Sequence, residues 1–485
     1  MLEEIIKERK KKLDNFKKEG FYPYPEKVKR THKIKELLDG FDKFEKSQKE
    51  VFVCGRIIGF RDQGKIVFID VVDESGKIQG VFNEESIEKH FKLFKENLDI
   101  GDFIQISGFL FLTKKQEKSV KIKSLIPIVK SLRSIPSHWY GLEDIEIRLR
   151  QRYLDILVHP EVKELFVKKN IFWKSIREFL QKENFLEMET PILEVTPGGA
   201  DAEPFITHHN TLNTDFYLRI SLEISLKKLL VAGYEKIFEI GRIFRNEGID
   251  AEHLQDYTQM EFYWAYSNCD ELMDFVQKMY QSIIKDLFSE LKTEYQGKKL
   301  DWSGNWERIE YFDIFKEKTN LDINKVTEKE LFKKAEESGL KPEKNLSKGR
   351  LIDLLFKKMV RPYLIQPCFL INQPIEIEPL AKRIEDKPGK VARFQILAAG
   401  SELGKGFSEA NDPVDQRERF EEQMRLRKKG DKEAQRLDED FLQALEYGMP
   451  PAGGFGLSER LFAVLMDKPI RETTIFPLMK NKKLD

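Results

Sequence analysis

A chain of 485 residues is too long for one ordinary domain, and its 40% hydrophobic content is enough for two or three separate cores. Its 83 basic and 83 acidic residues cancel, so the overall charge carries no nucleic-acid signature and any RNA contact must come from a local patch. No apolar run approaches the roughly 20 residues that span a bilayer, so no membrane-spanning helix is expected.

The segment MLEEIIKERKKKLDNF lacks the apolar centre of a secretory signal, and its acidic residues argue against a transit peptide. Residues 2 to about 19 have a helical pattern, with Ile5, Ile6, Leu13 and Phe16 on one side. Gly20 ends the helix, and YPYP enforces extended chain after it. KERKKK, FKKEG and EKVKR concentrate basic charge here, which reads as an RNA contact or, with equal right, as a solvated helix face. Cys54, Cys269 and Cys368 are scattered, odd in number and without metal spacing. They suit a reducing compartment, and a cytoplasmic protein is expected. The seven histidines form no HExxH-type cluster, so no structural zinc is expected.

Between residues 51 and 130 the pattern changes. VFVCGRIIGF, KIVFIDVVD, KIQGVFN, DFIQISGFLFLT and SVKIKSLIPIV are β-type runs separated by turns such as DQGK and DESGK. Five strands in that space predict a small barrel of the OB type. Ser131 to Leu142 reads as a linker. DIEIRLRQRYLDIL and a helix over Glu161 to Gln181 then open a larger α+β domain. It lacks strict βαβ alternation, so an antiparallel sheet flanked by helices is predicted rather than a Rossmann sheet. Charged helices from Thr327 to Met359 look like an insertion. The predicted layout is an N-terminal helix and extended segment (1–45), a barrel (46–135) and a main domain (136–485) with a helical insertion at about 320–362.

The chemistry concentrates in Phe238 to Tyr263, which reads as two strands joined by a polar loop. Arg245 and Glu247 close the first strand; Glu261 and Tyr263 stand on the second. An arginine at the mouth of a strand pair forks onto a phosphate, and a ring such as Tyr257 offers a face to a base. A carboxylate on the return strand can hold an ammonium. No GxxxxGK motif occurs, so a P-loop is excluded as the nucleotide site.

This stretch resembles motif 2 of the class II aminoacyl-tRNA synthetases. FLEMETPIL, with Pro191, resembles motif 1, and GMPPAGGFGLSERLFAVLMD resembles motif 3, a Gly-rich strand entering a helix with Arg460 in its first turn. The resemblance implies ATP held by arginines and Mg²⁺. Arg245 would contact the α-phosphate, with Glu247 and His253 near the nucleotide. Tyr257 would stack on adenine, with Arg460 on its other face reaching the γ-phosphate. Gly456 and Glu402 complete the ATP set, Glu402 as a metal ligand. Motif 1 implies a homodimer.

Within that class, RYLDIL, TPGGADAEPFITHHN, YLRISLEISLKKLLVAGYEKIFEIGRIFRNEGI, PLAKR and GFSEANDPVDQRERF are similar to lysyl-tRNA synthetases. The implied activity is lysine–tRNA ligation: L-lysine and ATP form lysyl-adenylate and pyrophosphate, and lysine then passes to the 3′ end of tRNA. Glu261, Glu409 and Tyr263 match the partners of the lysine ε-amino group, Glu223 matches the partner of its α-amino group, and Gly199 and Phe407 complete the lysine-binding set. In the barrel, Phe68 and Gln79 match positions that stack on and hydrogen-bond an anticodon base, with Arg56 nearby. The alternation of strand residues equally allows Phe68 to point into the core.

Several positions depart from the family pattern. RFQ replaces RFE, so Gln395 stands where a glutamate helps hold Mg²⁺ between phosphates. Lys405 stands where the family has Asn, and GLSER is one residue shorter than the GIGIDR type. HLQDYT and GGFG lean towards the aspartate and asparagine branch. Two alternatives stay open: an aspartyl- or asparaginyl-type synthetase, and a degenerate paralogue acting as an RNA-binding or regulatory protein.

Overall fold

The computed structural model describes residues 2–136, 142–248, 253–343, 346–431 and 434–480. The middle of the predicted linker and the tip of the Phe238 to Tyr263 loop lie outside these residues. The chain divides into two compact units, Met1–Glu143 and Asp144–Asp485.

In the first unit, helix α1 (Leu2–Lys18) precedes five strands: β1 (Val51–Asp62), β2 (Ile66–Val72), β3 (Lys77–Asn83), β4 (Phe103–Leu112) and β5 (Lys118–Val129). They close as a barrel in the order β1-β2-β3-β5-β4. Alternate residues Val51, Val53, Ile57, Val67, Ile69 and Val71 fill the interior, as the two-residue strand period requires. Phe16 of α1 is fully buried among Phe21 and Phe94, and Arg9 donates to the carbonyls of Ser131 (2.8 Å) and Arg133 (3.0 Å). The helix is therefore stitched to the barrel rather than a detached basic arm.

The second unit is organised on one sheet. Its strands are β6 (Leu186–Glu187), β7 (Lys236–Phe244), β8 (Asp256–Ala265), β9 (Glu307–Glu310), β10 (Cys368–Ile371), β11 (Arg393–Ala398), β12 (Ser401–Ser408) and β13 (Ala452–Ser458). The order across the sheet is β9-β10-β11-β12-β13-β8-β7-β6. The central pairs are antiparallel, as the sequence predicts. Both edges differ: β9 lies parallel to β10, and β6 parallel to β7. Each edge strand is joined to its parallel neighbour by a long connection that carries helices, Glu223–Val231 between β6 and β7 and three helices from Tyr311 to Met359 between β9 and β10, and such a crossover returns the chain in the parallel sense.

The pleat gives this sheet two unlike faces. Phe238, Phe262, Phe455 and Phe394 project to one side and are at most 2% exposed. They pack with Phe172, Ile176 and Leu180 of α2 (Pro160–Lys182) and with Leu272, Val276 and Tyr280 of α3 (Cys269–Phe288). The neighbouring strand positions, Glu239, Glu261, Lys405 and Gln395, therefore project to the other side. In the predicted insertion, Leu331 of α4 (Glu328–Glu337) and Ile352 of α5 (Lys348–Met359) pack into one cluster with Tyr311 and Phe315, which precede it, and with Leu370 and Leu397 of the sheet. No helix among the described residues is long and apolar enough to cross a membrane.

Phe262 meets Phe185, Phe275 and Phe455 at ring-centroid distances of 5.1, 5.4 and 5.6 Å. Phe262→Ala should destabilise the second unit by about 3–5 kcal/mol, because the rigid aromatic layer cannot collapse into the void. Urea unfolding followed by tryptophan fluorescence would register this, and an unchanged midpoint would contradict it.

Candidate functional site

The polar face is built in rows by strand register. Glu239 pairs with Glu261, Glu261 with Gly456, Gly456 with Lys405, and Lys405 with Gln395. Two residues along, Tyr263 pairs with Gly454, Gly454 with Phe407, and Phe407 with Arg393. Side chains on directly opposed antiparallel residues share a face. Residues from distant parts of the chain are thus set side by side. The two glycines hold the rows open: a Cβ at Gly454 would strike Glu409 and the Tyr263 ring, and one at Gly456 would sit 3.3 Å from Glu261 Cγ.

Deep in this face lies an acidic cluster. Glu223, Glu261 and Glu409 are each no more than 3% exposed. Glu261 Oε1 accepts from Ser221 Oγ (2.7 Å), the Leu222 amide (3.1 Å) and Gln259 Nε2 (2.7 Å), while Tyr263 Oη donates to Oε2 at 2.9 Å. Glu223 opens the helix α6 (Glu223–Val231), whose Lys227, one turn on, is fully buried. The Lys227 ammonium bridges Glu223, at 2.5 Å, and Glu409. Burial would push this ammonium down, but the two carboxylates outweigh it and hold it protonated. Burial raises the Glu223 carboxyl to about 7 and drives Glu409 well above the carboxylate range. Among the described residues Glu409 has no well-directed hydrogen-bond donor, so the charge of Lys227 is its main compensation. Gly199, at φ +83°, lies where a Cβ would come within 2.8 Å of Glu223 Cβ. Phe407 presents its ring 5.3 Å from Lys227 Nζ.

In front of the cluster is a cavity of about 560 Å³, lined among others by Arg245, Glu247, His253, Tyr257, Gln395, Glu402, Lys405 and Arg460. Arg245 follows β7 directly. Its Nε donates to the Ile220 carbonyl at 3.2 Å, and its guanidinium lies 5.7 Å from the Tyr257 ring centre. Arg460 sits in the first turn of α7 (Glu459–Leu465), which Ser458 caps through its hydroxyl. The shortened strand–helix junction therefore still delivers Arg460 to the cavity, where its Nη1 reaches the Glu402 carbonyl at 3.5 Å. Burial alone would raise Glu402, but Arg393, Arg460 and Lys405 outweigh that and hold it below the usual carboxylate range. Lys405 Nζ and Arg393 Nε each lie 3.2 Å from the buried Glu378 carboxylate.

The residues singled out in the sequence thus fall into two adjoining groups. The predicted nucleotide set lines the cavity, except Gly456, which stands between the cavity floor and Glu261. The predicted lysine set, Gly199, Glu223, Glu261, Tyr263, Phe407 and Glu409, lies behind it, buried or nearly so. Sequence reasoning missed Lys227, Glu378 and Arg393. The spacing of Glu223 and Lys227, four apart on a helix, was a usable signal for one. Nothing local marks the other two, whose neighbours come from distant strands.

On the barrel, Phe68 and Asp70 point out from β2, and Gln79 lies opposite Asp70 on β3. Arg61 pairs with Asp70 and stands opposite Phe68. Phe68 is thus half-buried on the outer face, not in the core. Gln79 accepts from Ser119 Oγ at 3.0 Å. Arg56 is set apart from them, stacked 4.2 Å from the Phe103 ring and donating to the Gly101 carbonyl at 3.2 Å.

Comparison with known proteins agrees with this two-part architecture. The family model for class II tRNA synthetases (D, K and N) matches residues 144–480, and that for the OB-fold nucleic acid binding domain matches 51–128. The lysine–tRNA ligase of Carboxydothermus hydrogenoformans is 43% identical, over 99% of both chains. That of Moorella thermoacetica is 42% identical over 99% of this chain and 98% of its own. That of Thermotoga maritima is 40% identical over 100% and 98%. Motif, fold and full-length similarity coincide, and the chain belongs to the class II lysyl-tRNA synthetase family.

Proposed function

We propose that this protein is a lysine–tRNA ligase: it activates L-lysine with ATP to lysyl-adenylate and pyrophosphate, then transfers lysine to the 3′ end of tRNA(Lys). The observation that carries this reading is the charge balance of the deep pocket. Of three buried carboxylates, Glu223 and Glu409 share one resident ammonium, Lys227, and Glu261 is met only by neutral donors. Such a site favours a cationic side chain and repels an aspartate. Lys405, the cation that an acidic substrate would need, is turned to Glu378.

In this reading Glu409, Glu261 and Tyr263 receive the ε-ammonium, and Glu223 the α-ammonium beside Gly199. The lysine carboxylate is then directed towards the cavity, where Arg245 meets the α-phosphate. Adenine lies between Tyr257 and Arg460, with Glu247 and His253 at its edge. Attack of the carboxylate on the α-phosphorus expels pyrophosphate, and the arginines stabilise the charge that grows on the equatorial oxygens. Proximity replaces covalent catalysis. Among the described residues no group of three His, Cys, Asp or Glu side chains is arranged to hold a metal ion, so a Mg²⁺ ion held by Glu402 would take most of its ligands from the nucleotide and water. When bound it neutralises phosphate charge.

Phe68 and Gln79 on the barrel's outer face suit single-stranded anticodon bases, which are read by stacking and amide contacts. A homodimer is proposed through the motif 1 segment, where Leu186, Ile192, Leu193 and Val195 are 44–70% exposed and form an apolar strip for a second copy to cover. Three free cysteines suit work in the cytoplasm.

The decisive test is amino-acid-dependent ATP–pyrophosphate exchange with lysine, aspartate and asparagine in parallel. Exchange with lysine alone is expected; exchange with aspartate or asparagine would overturn the pocket reading, and none at all would favour a binding protein. Lysine affinity should also depend on pH. A carboxyl raised to about 7 is neutral below that pH and charged above it, and only the charged form attracts an ammonium. Calorimetric affinity for lysine without nucleotide should therefore rise with pH through neutrality, by up to about tenfold per unit for each carboxyl that titrates. A flat profile would show that these carboxyls do not titrate on binding. Finally, Phe68→Ala should lower tRNA charging by about tenfold or more while sparing exchange, since base stacking is worth about 1–3 kcal/mol. Equal loss in both assays would make Phe68 a folding residue.

A further inference from the structure

Two of the departures from the family pattern, Gln395 and Lys405, are a single site. They lie on β11 and β12 and are direct register partners. Directly opposed antiparallel residues carry their Cβ atoms about 4.5–5.5 Å apart on the same face. Both line the cavity that holds Arg245, Glu402 and Arg460. On its other side Lys405 is opposed by Gly456, which has no side chain to crowd the ammonium. The Lys405 side chain is 33% exposed, so its head is not sealed away. One proton is directed to Glu378 at 3.2 Å, an ammonium has two more to donate, and Glu378 is also faced by Arg393.

The charges balance in an informative way. Glutamine for glutamate at 395 removes one negative charge, and lysine for asparagine at 405 adds one positive charge. Together these equal the charge of one divalent cation. An amide brings no charge to a Mg²⁺ site, and an ammonium beside it repels the ion. Position 395 therefore does not fit the metal that a carboxylate there would share.

We propose that the Lys405 ammonium takes the place of a divalent cation between the phosphates of ATP, so that this chain engages the nucleotide with one fewer Mg²⁺ than a site built with glutamate at position 395 and asparagine at position 405. The inference rests on the ligase reading for its nucleotide, though not for its test. A resident ammonium neutralises phosphate charge at any Mg²⁺ concentration and loses no counter-ion when pyrophosphate departs.

The test counts ions. Mn²⁺ bound per chain in the presence of α,β-methylene-ATP, read by electron paramagnetic resonance of free Mn²⁺, should be one lower in the parent than in the double variant Q395E/K405N. Equal counts would overturn the proposal. In lysine-dependent exchange, K405N alone should lose about tenfold or more at saturating ATP without rescue by excess Mg²⁺, because one phosphate charge is left unmet. The added Gln395→Glu should restore exchange at raised Mg²⁺. Rescue of K405N by Mg²⁺ alone would count against the coupling. Should the variants fail to fold, the parent decides: its exchange should saturate once ATP is fully magnesium-bound, and a further requirement for free Mg²⁺ would refute the idea. Absence of lysine-dependent exchange in the parent would remove the ligase reading, whereas the Mn²⁺ count needs only nucleotide binding and would still decide this one.

Discussion

The Lys227 ammonium, buried between Glu223 and Glu409, is the interaction on which the acidic pocket depends. Carboxylates withdrawn from water cannot remain together ionised without a cation, and breaking such a buried pair generally costs about 3–5 kcal/mol. One resident cation beside three buried carboxylates leaves the pocket short of positive charge. On the proposed reading, that shortage is what a lysine side chain relieves.

The frame that carries this balance is a pleated sheet with opposite chemistry on its two faces. Phe238, Phe262, Phe455 and Phe394 form an apolar layer against two long helices, so the strands cannot slip without exposing it. Fixed register then fixes the polar rows. Glu239 extends the frame: it accepts from the Thr190 amide (3.0 Å) and hydroxyl (2.6 Å) and pairs with Arg219 at 2.6 Å. The end of the motif 1 segment is thereby tied to the strand that leads into Arg245. Gly454 and Gly456 keep the rows open because any side chain there would occupy the space beside Glu409 and Glu261.

The cavity in front of the pocket has the opposite character. Against burial, Arg393, Arg460 and Lys405 hold the Glu402 carboxyl low, Lys405 and Arg393 do the same for Glu378, and Arg245 lines the same cavity, so cavity and pocket form a boundary between fields of opposite sign. Lys405 and Gln395 belong to this boundary. Seen along the chain they are two unrelated irregularities; across the β11–β12 ladder they are one electrostatic adjustment.

Much of this was legible in the sequence because motifs are local. The alternation in KIVFIDVVD and its neighbours announced the barrel strands, and the run from Phe238 to Tyr263 announced the hairpin with Arg245 at its mouth. The parallel sheet edges were not legible, since strand direction is set by how a crossover returns. Nor was the facing of Phe68, because a period of two leaves inside and outside undecided until the barrel closes. Lys227 as a counter-ion, Glu378 between Arg393 and Lys405, and the pairing of Gln395 with Lys405 were decided only by tertiary structure. Sequence by itself determines which residues carry charge and which local element holds them. Which charges meet depends on register and burial, and those arise only when distant strands share one sheet and water is excluded from one of its faces.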